Sequence, residues 1–460
     1  MKSTVNMSYL LLLCFTAALG GLLFGFDVAI ISGAGPALEK YFKLEEIGLG
    51  IAFSSLLFGC ALGALGAGFL ADRFGRKVPL MVVAALFGLT SLATGLAPDF
   101  TTFLIARFLG GLAVGGVSIL TPMYIAEIAP PTMRGRLCTG YQLAIVIGIL
   151  GSFLLNYILN GLPSWDWFNS HIHDLGTWDW RWMFISGVLP SLFFLILLFF
   201  FPETPRFLFK VGREQEAAAV LTRIVGEAEA ERETVEIRAS LVSTQSVWTQ
   251  LTSASLRRPL LVGFCLAVLI HFSGINTIID YAPKIFQSAG FSLDTALFST
   301  FGIGLTNFTF TLVSFWIIDR YGRKPLYIIG SIGLTVALSA LGVTVMIGHF
   351  SGLIVLMLIL GYVAFFAACI GPVFWTLVPE IFPNRIRGEA MIVPVLVQWI
   401  ANAIAVMLFP LAFKVIGKEF TFFFLATMAF LQVIFTWKFV PETKGKTLEE
   451  IEDLWGNEQK

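Results

Sequence analysis

The sequence predicts an all-α integral membrane protein, with twelve transmembrane helices in two parallel six-helix repeats and short helices between the halves. Three observations carry this expectation. Apolar residues make up 57% of the 460, charged residues only 13%, and mean hydropathy is +0.84, a balance that lipid rather than water solvates. Apolar stretches of the length a bilayer crossing needs, about 20 residues, begin near residues 9, 47, 79, 101, 138, 182, 259, 295, 325, 352, 389 and 419. Third, short charged motifs recur at a near-constant offset.

The first apolar run, from about residue 9 to 35, is too long for a signal-peptide core and has no A-x-A site before Asp27, so it reads as a retained first span. An even number of spans puts both termini on one side. Most of the 30 Lys and Arg fall in the termini and in the connections after spans two, four, six, eight and ten, which the positive-inside rule makes cytoplasmic. Zero net charge and the lack of a basic tail leave no footprint for nucleic acid, so the expected surroundings are the lipid bilayer. The five cysteines are scattered without C-x-x-C spacing and read as packing residues. His171 and His173 form H-x-H without further soft ligands. No metal, no cofactor and no enzyme are therefore expected, since no Ser/His/Asp set or phosphate loop accompanies the spans.

DRFGRK at 72–77 returns as DRYGRK at 319–324, EIAPPTMRG at 127–135 as EIFPNRIRG at 380–388, and PETPR at 202 as PETKG at 441. Three pairs in register mean two halves in the same orientation, the plan of a transporter with parallel repeats. The expected division is 1–201 for the first half, 202–258 for a hydrophilic linker of helix-forming stretches, 259–440 for the second half and 441–460 for a cytoplasmic tail. The motifs place Asp72, Arg73, Arg76, Glu127, Arg134, Glu203 and Arg206 at the span ends of one half, and Asp319, Arg320, Arg323, Glu380, Arg387 and Glu442 at those of the other. Carboxylates and guanidiniums so placed can form bidentate pairs between helix ends. The alternative is that they only determine topology.

Span seven reads LVGFCLAVLIHFSGINTIIDYAPKIF, and Gly274 and Pro283 interrupt its helix. Asn276 follows the break and offers an amide donor and acceptor to a hydroxylated ligand. Gln142, Asn307 and Gln398, the last beside Trp399, are further polar groups within spans. By themselves they read as helix-to-helix hydrogen bonds. Asp27 lies in GGLLFGFDVAIISG, amid apolar residues, and a mid-bilayer carboxylate must be neutralised, paired or turned to a water-filled cavity. Arg107 is the one basic residue inside a span of the first half, and glycines 110, 111, 115 and 116 beside it would let another helix approach. The two could form a permanent ion pair. Alternatively, a carboxylate balanced between burial and Arg107 could change protonation as the cavity alternates.

Through GGLLFGFD, TPMYIAEIAP, GINTIIDYAP, GPVFW, EIFPNRIRG, QWIAN and PETKGKTLEEIE, the chain resembles the sugar porter family of the major facilitator superfamily over essentially its whole length. In pattern it stands nearest the family's bacterial proton:xylose symporters. The resemblance implies the major facilitator fold and alternating access. It implies a proton-coupling pair in Asp27 and Arg107, and a cytoplasmic gate in the charged motifs that locks the halves together when the cavity opens outward. It also implies a sugar pocket from Gln142, Asn276, Asn307, Gln398 and Trp399, with Phe24 and Trp375 supplying ring faces for a pyranose. The partners expected are a monosaccharide and a proton, the carrier working as a monomer in the cytoplasmic membrane.

Two departures bear on the substrate. Where sugar porters usually have Gln-Gln before GIN, this chain has Ile270 and His271, and Asp280 replaces a common aromatic residue. His271 could take the place of an amide, titrate, or pack, and Asp280 is expected as a solvated carboxylate near the outer mouth. The expected function is proton-coupled symport of a pentose or hexose. The alternatives are a passive sugar uniporter, a polyol or inositol transporter, and a transporter-like nutrient sensor.

Overall fold

A computed structural model describes residues 5–130, 133–160, 178–241, 256–382 and 390–444. His171, His173, Arg387 and residues 445–460 lie outside them, and of Arg134 only the backbone is described. Twelve apolar helices are long enough to cross a bilayer: Met7–Tyr41, Glu46–Phe74, Lys77–Gly95, Phe100–Ile128, Leu137–Leu159, Asp179–Phe199, Arg257–Asp280, Leu293–Tyr321, Arg323–Met346, Gly352–Glu380, Ile392–Val415 and Lys418–Phe439. They are spans one to twelve below. Among the described residues there is no strand, as expected where each backbone polar group must be bonded within its own segment. Among the described residues the linker supplies three helices, Pro205–Lys210, Glu214–Val225 and Glu227–Leu241. Glu214–Val225 docks beneath span one, where the amide of Asn6 donates to the carbonyl of Ile224 at 2.8 Å and Arg223 lies 4.0 Å from the Tyr9 ring centre.

The packing of spans two and four in the first half is set by glycine. Gly59 and Gly63 on span two face Gly111 and Gly115 on span four, and a Cβ added to any of them would come within 2.0–2.2 Å of a carbonyl oxygen of the opposing helix. This is small-residue packing on both partners. It corrects the expectation that these glycines bring span four to span one, because Gly111 and Gly115 admit span two, while Gly116 faces Val83. Span one meets span four through Gly20, against Thr121 and Val117, and of the four glycines only Gly110 lies near Asp27. Gly111→Val is expected to destabilise the protein by about 1–3 kcal/mol or more, read as a fall in melting temperature in detergent. An unchanged melting temperature would contradict this packing.

The charged motifs gather at one end of the bundle, the motif end. In the first half Arg76 Nη2 pairs with Glu127 Oε1 at 2.6 Å, and in the second Arg323 Nη2 pairs with Glu380 Oε1 at 3.1 Å. Among the described residues each contact is single rather than bidentate, and Glu127 Oε2 is without a partner. Glu203 and Glu442 do something the sequence did not suggest. Glu203 accepts the amides of Arg76 and Lys77 at 2.9 and 3.1 Å, and Glu442 those of Arg323 and Lys324 at 3.1 Å. Each carboxylate therefore caps the helix that follows the motif, where free N–H groups and the helix dipole favour an anion. Among the described residues, no ion pair of these motifs joins one half to the other. Asp72 pairs with Lys210, Asp319 with Arg323, Arg73 and Arg320 lie over neighbouring aromatic rings, and Arg206 is exposed.

The halves join at the far end instead. Glu39 pairs with Lys284 at 2.9 Å, Glu46 with Lys414 at 2.7 Å, and Asn160 donates to Asp294 at 2.6 Å. Phe53 of span two stacks on Tyr281, next to span seven, at 4.4 Å, and Tyr281 stacks on Phe409 of span eleven at 5.3 Å. Within this layer Gly50 abuts Met407, and below it Gly304 abuts Phe153 and Leu150. Toward the motif end of span two, Gly66 and Gly68 have no neighbour within 4 Å. The interface between halves is thus sealed at the far end.

Candidate functional site

Midway along span one, Asp27 is 7% exposed, and Arg107 of span four is 2% exposed. Arg107 Nη1 donates to Asp27 Oδ1 at 2.6 Å, its Nη2 approaches the Asp27 carbonyl at 3.4 Å, and its guanidinium lies 5.2 Å from the Phe184 ring centre. Of the three states open to an intramembrane carboxylate, neutralised, paired or turned to water, Asp27 is in the paired one. A buried pair of this kind contributes little net stability, because desolvation offsets the attraction. Protonating Asp27 would remove the charge that holds Arg107.

Across the interface, span seven breaks where expected. Arg257–Phe272 ends, Gly274 takes φ +93°, and Ile275–Asp280 begins, followed by Ala282–Ser288 with Pro283 in its first turn. Only glycine adopts that φ without strain. The free carbonyl of Ser273 at the break accepts the Tyr362 hydroxyl at 2.9 Å. This geometry brings Asn276 Nδ2 to 3.5 Å from His271 Nδ1, so the two side chains form one polar group, with His271 6% exposed and Asn276 half-buried. Span ten is also broken, at Gly371 and Pro372, a break the sequence reading did not draw.

Phe24 and Trp399 meet across the halves with ring centres 5.4 Å apart. Gln398 is 8% exposed, and its Oε1, Trp399 Nε1 and His271 Nε2 are buried without hydrogen-bond partners. Such groups are costly to leave unmade. Three of them fall among the expected pocket residues, where they offer two donor or acceptor nitrogens and an acceptor oxygen. Asn307 is buried, with its Oδ1 3.4 Å from the Thr311 hydroxyl, while Gln142 is half-buried and Trp375 is 38% exposed. These three share no hydrogen bond or ring contact with the other pocket residues among those described.

Asp280 is not the solvated carboxylate expected at an outer mouth. It is 3% exposed, beneath the far-end seal, because span one and Phe53 cover it when the halves close there. The seal residues were also missed, since Glu39, Lys284, Glu46, Lys414, Phe53 and Phe409 are far apart in sequence and belong to no motif. Their signal was positional: charges and rings at the far ends of spans from opposite halves.

A bundle of twelve apolar helices with broken helices, unpartnered polar groups and a buried ion pair at its middle is the architecture of a membrane solute carrier. The chain belongs to the sugar transporter family: residues 13–455 match the family described as "Sugar (and other) transporter". It is 38% identical to the D-xylose-proton symporter of Escherichia coli K12, over 100% of this chain and 98% of the relative, and 37% identical to the arabinose-proton symporter of Bacillus subtilis 168, over 98% and 96%. Among solved structures, the inward-open conformation of the xylose transporter from E. coli superposes with a TM-score of 0.85 at 37% identity, covering 97% of this chain and 100% of that one. The fold is that of the major facilitator superfamily, and the family is one of transporters rather than enzymes.

His271 stands at the edge of the unpartnered polar set, bonded to Asn276. His271→Gln is expected to change the ratio of affinities between sugars by about five- to tenfold, one hydrogen bond being worth about 1 kcal/mol, with a smaller change in maximal rate. Competition among pentoses, hexoses and inositols against one labelled sugar measures the ratio, and an unchanged ratio would make His271 a packing residue.

Proposed function

We propose that the chain carries a monosaccharide together with a proton across the cytoplasmic membrane by alternating access, with Asp27 and Arg107 as the coupling pair. The observation that carries this reading is the 2.6 Å contact of a carboxylate and a guanidinium buried inside the spans, beside polar groups that lack partners. The motif end and both termini face the cytoplasm, and the far end faces out. On that assignment the seal at the far end makes this the inward-facing state, which agrees with the match to an inward-open relative. Asp27 paired with Arg107 is then the carboxylate after its proton has left inward. Facing out, Asp27 takes up a proton and frees Arg107, sugar binds, and closure of the far end commits both.

Sugar is held by Asn276, His271, Gln398, Trp399, Gln142 and Asn307, with Phe24 and Trp375 against its C–H faces. Residues 1–201 and 259–440 move as the two bodies, and the protein works as a monomer. In the outward-facing state the motif ends come together, and the clusters around Arg76 and Arg323 gate the cytoplasmic side. Sugar added outside proteoliposomes in weakly buffered medium tests the reading. The external medium should become alkaline as protons enter with the sugar. Sugar entry without a pH change would mean a passive uniporter.

A further inference from the structure

Asp280 has no role in the site described so far. Its position is unusual, because it lies one helical turn beyond Asn276 toward the far end, and one turn before Lys284, at the seam between spans one, two and seven. The residue is 3% exposed, and its Oδ1 is buried without a hydrogen-bond partner. A small cavity beside it is walled by Ser32, Gly35, Pro36, Leu49, Phe53 and Tyr281, and Glu39 and Lys284, bonded to each other, complete the lining.

The charged and titratable groups around the seam are engaged elsewhere. On span one Glu39 is paired with Lys284 of the span-seven side, and Asp27 is paired with Arg107. Arg107, from span four, is within electrostatic reach of Asp280 but hydrogen-bonds Asp27. The Tyr281 hydroxyl donates to the carbonyl of Val406 at 3.1 Å. Farther out, Glu46 of span two pairs with Lys414 of span eleven, and span two faces the cavity with Leu49 and Phe53. A carboxylate closed in here as an anion would lose its water and gain no hydrogen-bonded cation. As a neutral acid it closes in at far lower cost.

We propose that Asp280 is a second proton-binding site, a latch whose protonation from the outer medium permits the far end to close. The proton comes from external water when the seam is open and returns to the same water when it reopens, so none crosses the membrane by this route. The seal over Asp280 and its place on the far side of the sugar layer give that direction. The latch rests on the proposed function only for the assignment of the far end to the outside.

The test uses the full chain in proteoliposomes with Leu49→Cys, a buried position at the seam that a membrane-impermeant maleimide reaches only when the far end is open. The parent without the added cysteine gives the background, and an exposed cysteine corrects for thiolate content. Labelling with Asp280 intact should rise with external pH, by up to about tenfold per unit for a one-proton group. With Asp280→Asn it should be low and independent of pH, while sugar counterflow persists. Asp280→Glu should restore the slope with a shifted midpoint, which guards against a folding defect in the Asn variant. A pH slope surviving in Asp280→Asn, a flat profile in the parent or in Asp280→Glu, or fewer protons carried per sugar in Asp280→Asn would each overturn the latch. Sugar-driven proton entry in the parent is recorded in the same vesicles. If it is present while the slope survives in Asp280→Asn, the latch fails and symport stands; if it is absent while the slope is lost in that variant, symport fails and the latch stands.

Discussion

Asp27→Asn is expected to keep sugar counterflow and to lose uphill uptake driven by a pH gradient. The asparagine has the same shape and still offers an oxygen to Arg107, which reaches Asp27 Oδ1 at 2.6 Å. What it lacks is titration. With one proton per sugar, one pH unit supports about tenfold accumulation, about 1.4 kcal/mol, and 100 mV adds about 2.3 kcal/mol for the charge moved. In the variant both contributions vanish, so the accumulation ratio should fall to about one. Breaking a buried ion pair usually costs about 3–5 kcal/mol, because one charge is left uncompensated. The proposed cycle requires a neutral Asp27 beside Arg107 at one stage, so the fold must tolerate that state if Asp27 carries the proton. A folded, exchanging, uncoupled variant is the expected result. A variant that fails to insert, or that still concentrates sugar with normal proton dependence, would return Asp27 to a structural role.

Asn276→Ala and Gln398→Ala are each expected to weaken sugar binding by about five- to 150-fold, from about 1–3 kcal/mol per buried hydrogen bond left unmade. Gln398 Oε1 has no partner within the protein, so its truncation costs the unliganded carrier nothing at that atom. Asn276 loses only the 3.5 Å contact with His271. Both variants should therefore insert and melt like the parent while binding isotherms shift. Unchanged affinity in the purified protein would move the pocket elsewhere.

The sequence made legible whatever depends on length, sign and repetition. Spans are read from their length in hydrocarbon, the break at Gly274 from the one residue that reaches φ +93° freely, and the two halves from motifs that recur in register. Asp27 and Arg107 could be matched because charges inside spans are so few. Contacts decided by register between helices were not legible. Four glycines near Arg107 look alike in a string, yet Gly111 and Gly115 face span two and only Gly110 faces Asp27. Glu203 and Glu442 were read as ion-pair partners because they accompany arginines, whereas their bonds go to backbone amides. Asp280 was placed in solvent because its cover comes from Phe53 and span one, more than 200 residues earlier in the chain.

Accumulation of labelled sugar in proteoliposomes at a series of imposed pH gradients, with membrane potential clamped to zero, tests the coupling of sugar to protons most directly. The account predicts that the steady-state ratio of inside to outside sugar rises about tenfold for each pH unit, acid outside, and that Asp27→Asn holds the ratio near one at every gradient. A ratio near one for the parent protein, reached at the same rate whatever the gradient, would contradict it.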